Sequence, residues 1–180
     1  MKYPLSFLLV VSMLNSPLFA IIDPATGTGT VNGYSIGPGA DLTGADLTGA
    51  DLRVSNLTGA DLTNADLSGA NLRSTDLTGA DLTSANLNNI NPALINLSGA
   101  ILTGVKSGDI TNYDNPSFLP TLPSGYRITA GYLIGPGVDL TGADLTEMDL
   151  TGLDLSGADL TGASLTGLTS GSIVGAPTLP

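Results

Sequence analysis

The sequence predicts a mainly β solenoid. Three observations carry that expectation. Residue types recur every five positions, the middle residue of almost every group of five is Leu, and a long phrase is written twice. GYSIGPGADLTGADLT begins at Gly33 and GYLIGPGVDLTGADLT at Gly131, with two of sixteen positions changed. A period of five fits neither the helical repeat of about 3.6 nor the strand repeat of about 2. Self-similarity at a fixed short period is instead the mark of a chain that winds and stacks on itself.

Taken in chain order, residues 1–20 (MKYPLSFLLVVSMLNSPLFA) differ from the rest. One Lys precedes an apolar run from Leu5 to Leu14, and Ala20 is a small residue suited to cleavage. The segment reads as a secretory signal peptide, too short and too interrupted by Pro4, Asn15 and Pro17 for a membrane span. The expected product is therefore exported to the periplasm, the cell surface or the medium, with no membrane span in the mature chain. Residues 21–39 form a lead-in and cap.

Residues 40–104 divide into thirteen pentads, from ADLTG at Ala40 to AILTG at Ala100. Leu holds the centre of each except the eleventh, where Pro92 stands. Residues 138–167 hold six more, from VDLTG to ASLTG. Gly closes most pentads and Asp or Asn precedes nearly every Leu, and both supply turns: Gly accepts positive φ, and an Asx side chain can bond the backbone two residues on. The local picture is a short extended piece followed by a corner. Leu and the residue two before it face inward, and the other three positions face outward.

The runs resemble the pentapeptide-repeat family, whose pattern is A(D/N)LXX. The resemblance implies a right-handed quadrilateral β-helix with four pentads to a coil and Leu at the centre of each inner side. Residues twenty apart then stack about 4.8 Å apart. The faces carry Asp41, Asp61 and Asp81; Asp46, Asp66 and Asn86; Asp51, Asn71 and Asn91; and Asn56, Asp76 and Asn96. Pro92 lacks a donor and is expected to cost one bond between coils. Met148 and Leu153 replace the small inward residue, and are expected near a helix end or against a capping segment.

Residues 105–137 read as an irregular segment that separates the two arrays, and residues 168–180 as a tail that starts a truncated further module. VKSGDI after the first run matches LTSGSI after the second, and PTLP occurs at Pro120 and again at Pro177. Each module thus has a lead-in (GYxIGPG), a variable number of pentads and a lead-out (SGxI … PTLP). The sequence stops where a third lead-in is expected, which points to a fragment or descendant of a longer repeat protein.

Composition narrows function. The chain has no Cys and no His, which removes thiolate and imidazole metal ligands, His-based triads and disulfides. Five basic residues face sixteen acidic ones, for a net charge of -11, which argues against nucleic acid as a partner. No nucleophile–base pair or phosphate loop is present, so an enzyme and a cofactor are not expected. The main expectation is a bacterial, non-enzymatic exported scaffold with an unknown protein partner, able to stack coil ends or oligomerise. The alternatives are a DNA mimic protecting a type II topoisomerase, which the leader and the break at 105–137 disfavour, and a cation- or ice-binding surface protein. Two residue sets carry the candidate sites. The Asp41, Asp61, Asp81 column is a candidate for Ca²⁺, against the simpler reading of Asp as turn-former. Arg53 and Arg73 stack on the third face and could hold an anion, against simple pairing with Asp51 or Asp76.

Overall fold

The computed structural model describes residues 21–111, 115–169, 175 and 177–179. Residues 1–20, expected to be a signal peptide, the SGxI at 170–173 and Tyr113 lie outside them. Among the described residues there are strands, isolated parallel bridges and turns, and no helix.

The chain opens as an antiparallel meander of β1 (Ile21–Asp23), β2 (Thr28–Val31) and β3 (Tyr34–Ile36). Val31 pairs with Tyr34 across Asn32 and Gly33, whose φ values are 50° and 84°. Two consecutive positive φ angles are what a type I′ hairpin demands, and Asn-Gly is its preferred pair. Val31 and Ile36 are buried and plug the open end of the coils.

From residue 40 each coil takes twenty residues. Parallel bridges link Asp41 to Asp61 to Asp81, Asp46 to Asp66 to Asn86, Asp51 to Asn71 to Asn91, and Asn56 to Asp76 to Asn96. Three bonds repeat between coils: Leu42 N–H to Asp61 O (2.8 Å), Gly44 N–H to Thr63 O (2.8 Å) and Asp61 N–H to Ala40 O (2.9 Å). Each corner is closed from one pentad to the next, as Ala45 N–H donates to Leu42 O (3.0 Å) with Gly44 at φ 63°. Positive φ at the third residue is the requirement of a type II turn. The last position of a pentad is therefore left-handed whatever residue fills it, and Val54, Asn64, Ser74, Ser84, Asn89, Leu94 and Glu147 all adopt φ of 57–60°. The central Leu of the first array lies inside, with Leu47, Leu62 and Leu82 inaccessible to solvent, and Leu165 of the last pentad is half-buried.

The segment expected to part the two arrays joins them. Lys106 bridges back to Asn86 and forward to Asp139, and Asp139 bridges to Asp159, so the second face runs unbroken from Asp46 to Thr178. Residues 105–137 are one enlarged coil with two insertions. The first is a detour at 115–120, after which Thr121 takes the place above Asn96. The second is the hairpin of β4 (Arg127–Thr129) and β5 (Tyr132–Ile134), turning at Ala130 (φ 46°) and Gly131 (φ 83°). Pro92 sits on the third face, where the bond from the central residue to the next coil is missing as expected; Ile95 N–H still donates to Pro92 O (3.0 Å).

β4–β5 divides the interior. Leu133 belongs to the core of the first array and Ile134 to that of the second, as alternation along a strand requires. Ser107 holds the hairpin from below: Leu133 N–H donates to its Oγ (2.9 Å). This accounts for a difference between the two phrases. Ser35 occupies the position of Leu133 but is exposed, because β3 has no coil beneath it among the described residues. Met148 and Leu153 are buried in the second core, in the coil that follows the hairpin, with Tyr126 and Tyr132 packed against the same cluster.

Candidate interaction surface

The outward chemistry is set by one local device. The Asx residue of a pentad accepts the backbone N–H two residues on, as in Asp41 Oδ1 to Thr43 (3.2 Å), Asp61 to Thr63 (2.9 Å) and Asp81 to Thr83 (2.9 Å). The carboxylates are thereby held in register along the coils. Asp46, Asp61, Asp144, Asp149 and Asp154 lie below the ordinary carboxylate range, because the hydroxyl and then the backbone N–H of the Thr or Ser two residues on favour the charged form. Asp51 is lowered first by its hydrogen bonds from Arg53.

Stacked carboxylates repel, and the faces relieve this differently. On the second face Asn86 Nδ2 donates to Asp66 Oδ1 (3.1 Å), and Lys106 Nζ lies 3.5 Å from Asp139 Oδ2. On the fourth, Asn96 Nδ2 donates to Asp76 Oδ1 (3.3 Å) and to Thr78 Oγ1 (2.8 Å). The first face stacks Asp41, Asp61 and Asp81 directly and then Ile101, which is 48% exposed. Among the described residues no group of three or more carboxylates converges tightly enough to hold a metal ion. Each Oδ1 of this column already serves its own turn.

The structure stacks Arg53 and Arg73 on the third face and then gives them different partners. Arg53 forms a bidentate pair with Asp51, Nε to Oδ1 at 2.8 Å and Nη2 to Oδ2 at 2.6 Å. Arg73 has no carboxylate within ion-pair distance among the described residues; its guanidinium carbon lies 4.9 Å from the centre of the Phe118 ring. A cavity of about 410 Å³ is lined by Ile22, Asp51, Arg53, Val54, Arg73 and Ser74. The spacing of twenty brings the two arginines together but does not by itself place Ile22, Val54, Leu94 or Phe118 beside them. The signal was present for Val54 and Leu94, two bulky residues at the pentad position that wants Gly. A second, polar cleft of about 240 Å³ lies at the junction between Lys106, Asp139 and Tyr132.

The two copies of the repeated phrase do the same structural work. Tyr34 Oη accepts the Asp46 N–H (3.1 Å) and Tyr132 Oη accepts that of Asp144 (3.2 Å). Inside an array that donor bonds the preceding coil, as Asp66 does to Ala45 O, so the tyrosine replaces a missing coil. The threonines of the two PTLP motifs, Thr121 and Thr178, stand in Asx positions and bridge Asn96 and Asp159.

No curated protein matches the sequence. Solved structures do. A pentapeptide repeat protein from the Arabidopsis thaliana thylakoid lumen is 24% identical over 72% of this chain, with a TM-score of 0.25, and the chain spans only 57% of its length. HetL from the cyanobacterium Nostoc, a pentapeptide repeat protein involved in heterocyst differentiation regulation, is 32% identical over 78% of this chain and 66% of its own, with a TM-score of 0.21. QnrB1, a plasmid-mediated fluoroquinolone resistance protein, is 14% identical over 73% of this chain and 66% of its own, with a TM-score of 0.29. A family model described as pentapeptide repeats matches in eight copies over residues 39–73, 75–106 and 137–167. More than half of the residues thus obey the rule that the structure turns into coils, and the chain belongs to the pentapeptide-repeat family.

Proposed function

We propose that this chain is a non-enzymatic, exported scaffold: a right-handed quadrilateral β-helix that presents patterned side-chain ladders to a protein partner. The observation that carries this reading is the continuity of the second face, bridged from Asp46 through Lys106 and Asp139 to Thr178. Along this face the Asx side chains at 46, 66, 86, 139 and 159 are each held by the backbone N–H two residues on. Such order suits recognition by repetition. The reading is supported by the outward use of Asp, Asn and Thr as a structured polar surface, and by the leader at 1–20. Expression of the full chain, followed by fractionation and sequencing of the mature N-terminus, tests it. An extracytoplasmic product beginning near Ile21 is expected. A cytoplasmic product that retains Met1 overturns it.

The same continuity favours one second reading. A charged rod of net charge -11 without a break at 105–137 has the gross features of a duplex mimic, so one objection to that role falls away. The leader still opposes it. A gyrase supercoiling assay with a quinolone separates the two: no protection is expected, and protection replaces the scaffold reading.

A further inference from the structure

The geometry points to the stripe along the corner between the third and fourth faces as the docking site for an acidic, apolar-rich peptide segment of a partner protein. This deepens the scaffold reading and rests on it.

The stripe is built by a ladder that crosses four coils. Val54 N–H donates to Arg73 O, Ser74 N–H to Ala93 O and Leu94 N–H to Phe118 O, each at 2.9–3.0 Å. Positions 54, 74 and 94 are therefore stacked, and the detour at 115–120 brings Phe118 and Leu119 to the top. Three features set this place apart. First, Val54 and Leu94 are 45% and 43% exposed and hold φ of 57° and 60°. A bulky or β-branched residue in that conformation is strained, Gly does the same job at most other corners, and burial does not compensate. The turn imposes that φ at every corner, so what folding leaves unexplained is the bulky residue placed there, and a strained choice of this kind points to a site of use. Second, the arginines at 53 and 73 are two of five basic residues in a chain of sixteen acidic ones. Arg73 is steadied by the Phe118 ring, with no carboxylate paired to it among the described residues. Third, the neighbouring Asx column is Asp51, Asn71 and Asn91, two of its three acids replaced by amides, whereas the first face stacks three Asp.

Charge complementarity selects the occupant. A guanidinium with free donors takes a carboxylate, and exposed Val54, Leu94 and Leu119 take apolar side chains between carboxylates; arginine and aromatic groups are the usual anchors of such contacts. At physiological salt the screening length is about 8 Å; Asp51 neutralises Arg53, so Arg73, with no ion pair among the described residues, is the cation that an acidic peptide meets here.

The test uses the full chain and fluorescein-labelled synthetic peptides, one alternating Glu with Leu, one alternating Lys with Leu, and one alternating Glu with Ser. Fluorescence anisotropy is expected to show binding of the Glu–Leu peptide alone. Arg73→Gln is expected to weaken it at least about tenfold, the size of one charge-assisted contact, with Lys106→Gln on the second face unchanged. Val54→Gly and Leu94→Gly should raise the melting temperature and yet weaken the peptide, a combination that a purely structural role does not give. Equal binding of the Lys–Leu peptide, no binding of the Glu–Leu peptide, or an Arg73→Gln protein that binds like the parent overturns the site. Each of these leaves the export result untouched, whereas a cytoplasmic product that still binds the Glu–Leu peptide overturns only the scaffold's location.

Discussion

Replacing Leu133 with Ser gives the second copy of the repeated phrase the residue that the first copy carries at Ser35. The two positions are equivalent in sequence and opposite in environment. Leu133 is 1% exposed and belongs to the core of the first array, while Ser35 is exposed. Removing a buried Leu side chain costs about 2–5 kcal/mol once the cavity is included, and the added hydroxyl enters an apolar core. Leu133→Ser is therefore expected to destabilise by about 3–5 kcal/mol. At about 2–4 °C per kcal/mol for a chain of this size, the melting temperature should fall by roughly 6–20 °C. The reverse change, Ser35→Leu, adds an exposed apolar group and should stay within about 0.5 kcal/mol. Urea and thermal unfolding followed by circular dichroism measure both. If the two substitutions cost the same, β5 does not face a core, and the account of the junction as an internal partition is wrong.

Other consequences are open to the same assays. Val54→Gly relieves about 1–2 kcal/mol of left-handed strain and gives back about 0.5–1 in chain entropy, so a net gain of about 0.5–1 kcal/mol is expected in urea unfolding. Gly135→Ala puts a Cβ into the Tyr126 ring, whose hydroxyl donates to Pro136 O (2.8 Å), and should cost about 1–3 kcal/mol; Gly37→Ala meets only the Thr28 side chain, no closer than 3.5 Å, and should be near neutral. Tyr132→Phe leaves the Asp144 N–H to water and should cost about 0.5–1.5 kcal/mol by the same denaturation. Acid should destabilise. The lowered carboxylates, among them Asp46, Asp61 and Asp144, bind fewer protons folded than unfolded, so their contribution is complete above the ordinary carboxylate range and lost as pH falls through the folded values. Melting temperature should be flat from about pH 7 to 5 and fall below about pH 4.

Much of this architecture is written openly because the repeat imposes one environment on every fifth residue. The inward Leu, the Asx turn and the left-handed corner could each be read from a column of letters. What escaped was the structure of the non-repeating parts. Asn32–Gly33 between two short apolar runs is a strong hairpin signal, and it positions β2 and β3. Its counterpart, Ala130–Gly131, lacks the Asn and is recognisable only through the repeated phrase. The Leu column of residues 138–167 is out of phase with that of 40–104, and this shift suggests a separator at 105–137. Register along a solenoid depends on where a chain returns, not on how far it strays, and Lys106 and Asp139 meet after 33 residues once the detour and the hairpin have bulged out. The site was half legible. Arg53 and Arg73 follow from the spacing of twenty, but their different partners depend on Phe118, which only the detour brings near.

Both arrays form one column. The chain has no cysteine, so two spin labels can be placed without background. With Asp46→Cys and Asp159→Cys, the labels stand on the same face five coil steps apart, which is roughly 24 Å at about 4.8 Å per step. Pulsed electron paramagnetic resonance on the full chain should give one narrow distance distribution near that value after allowance for the label arms. A broad distribution, or a narrow one far from it, would mean that the arrays move or stack independently and would contradict the continuous column.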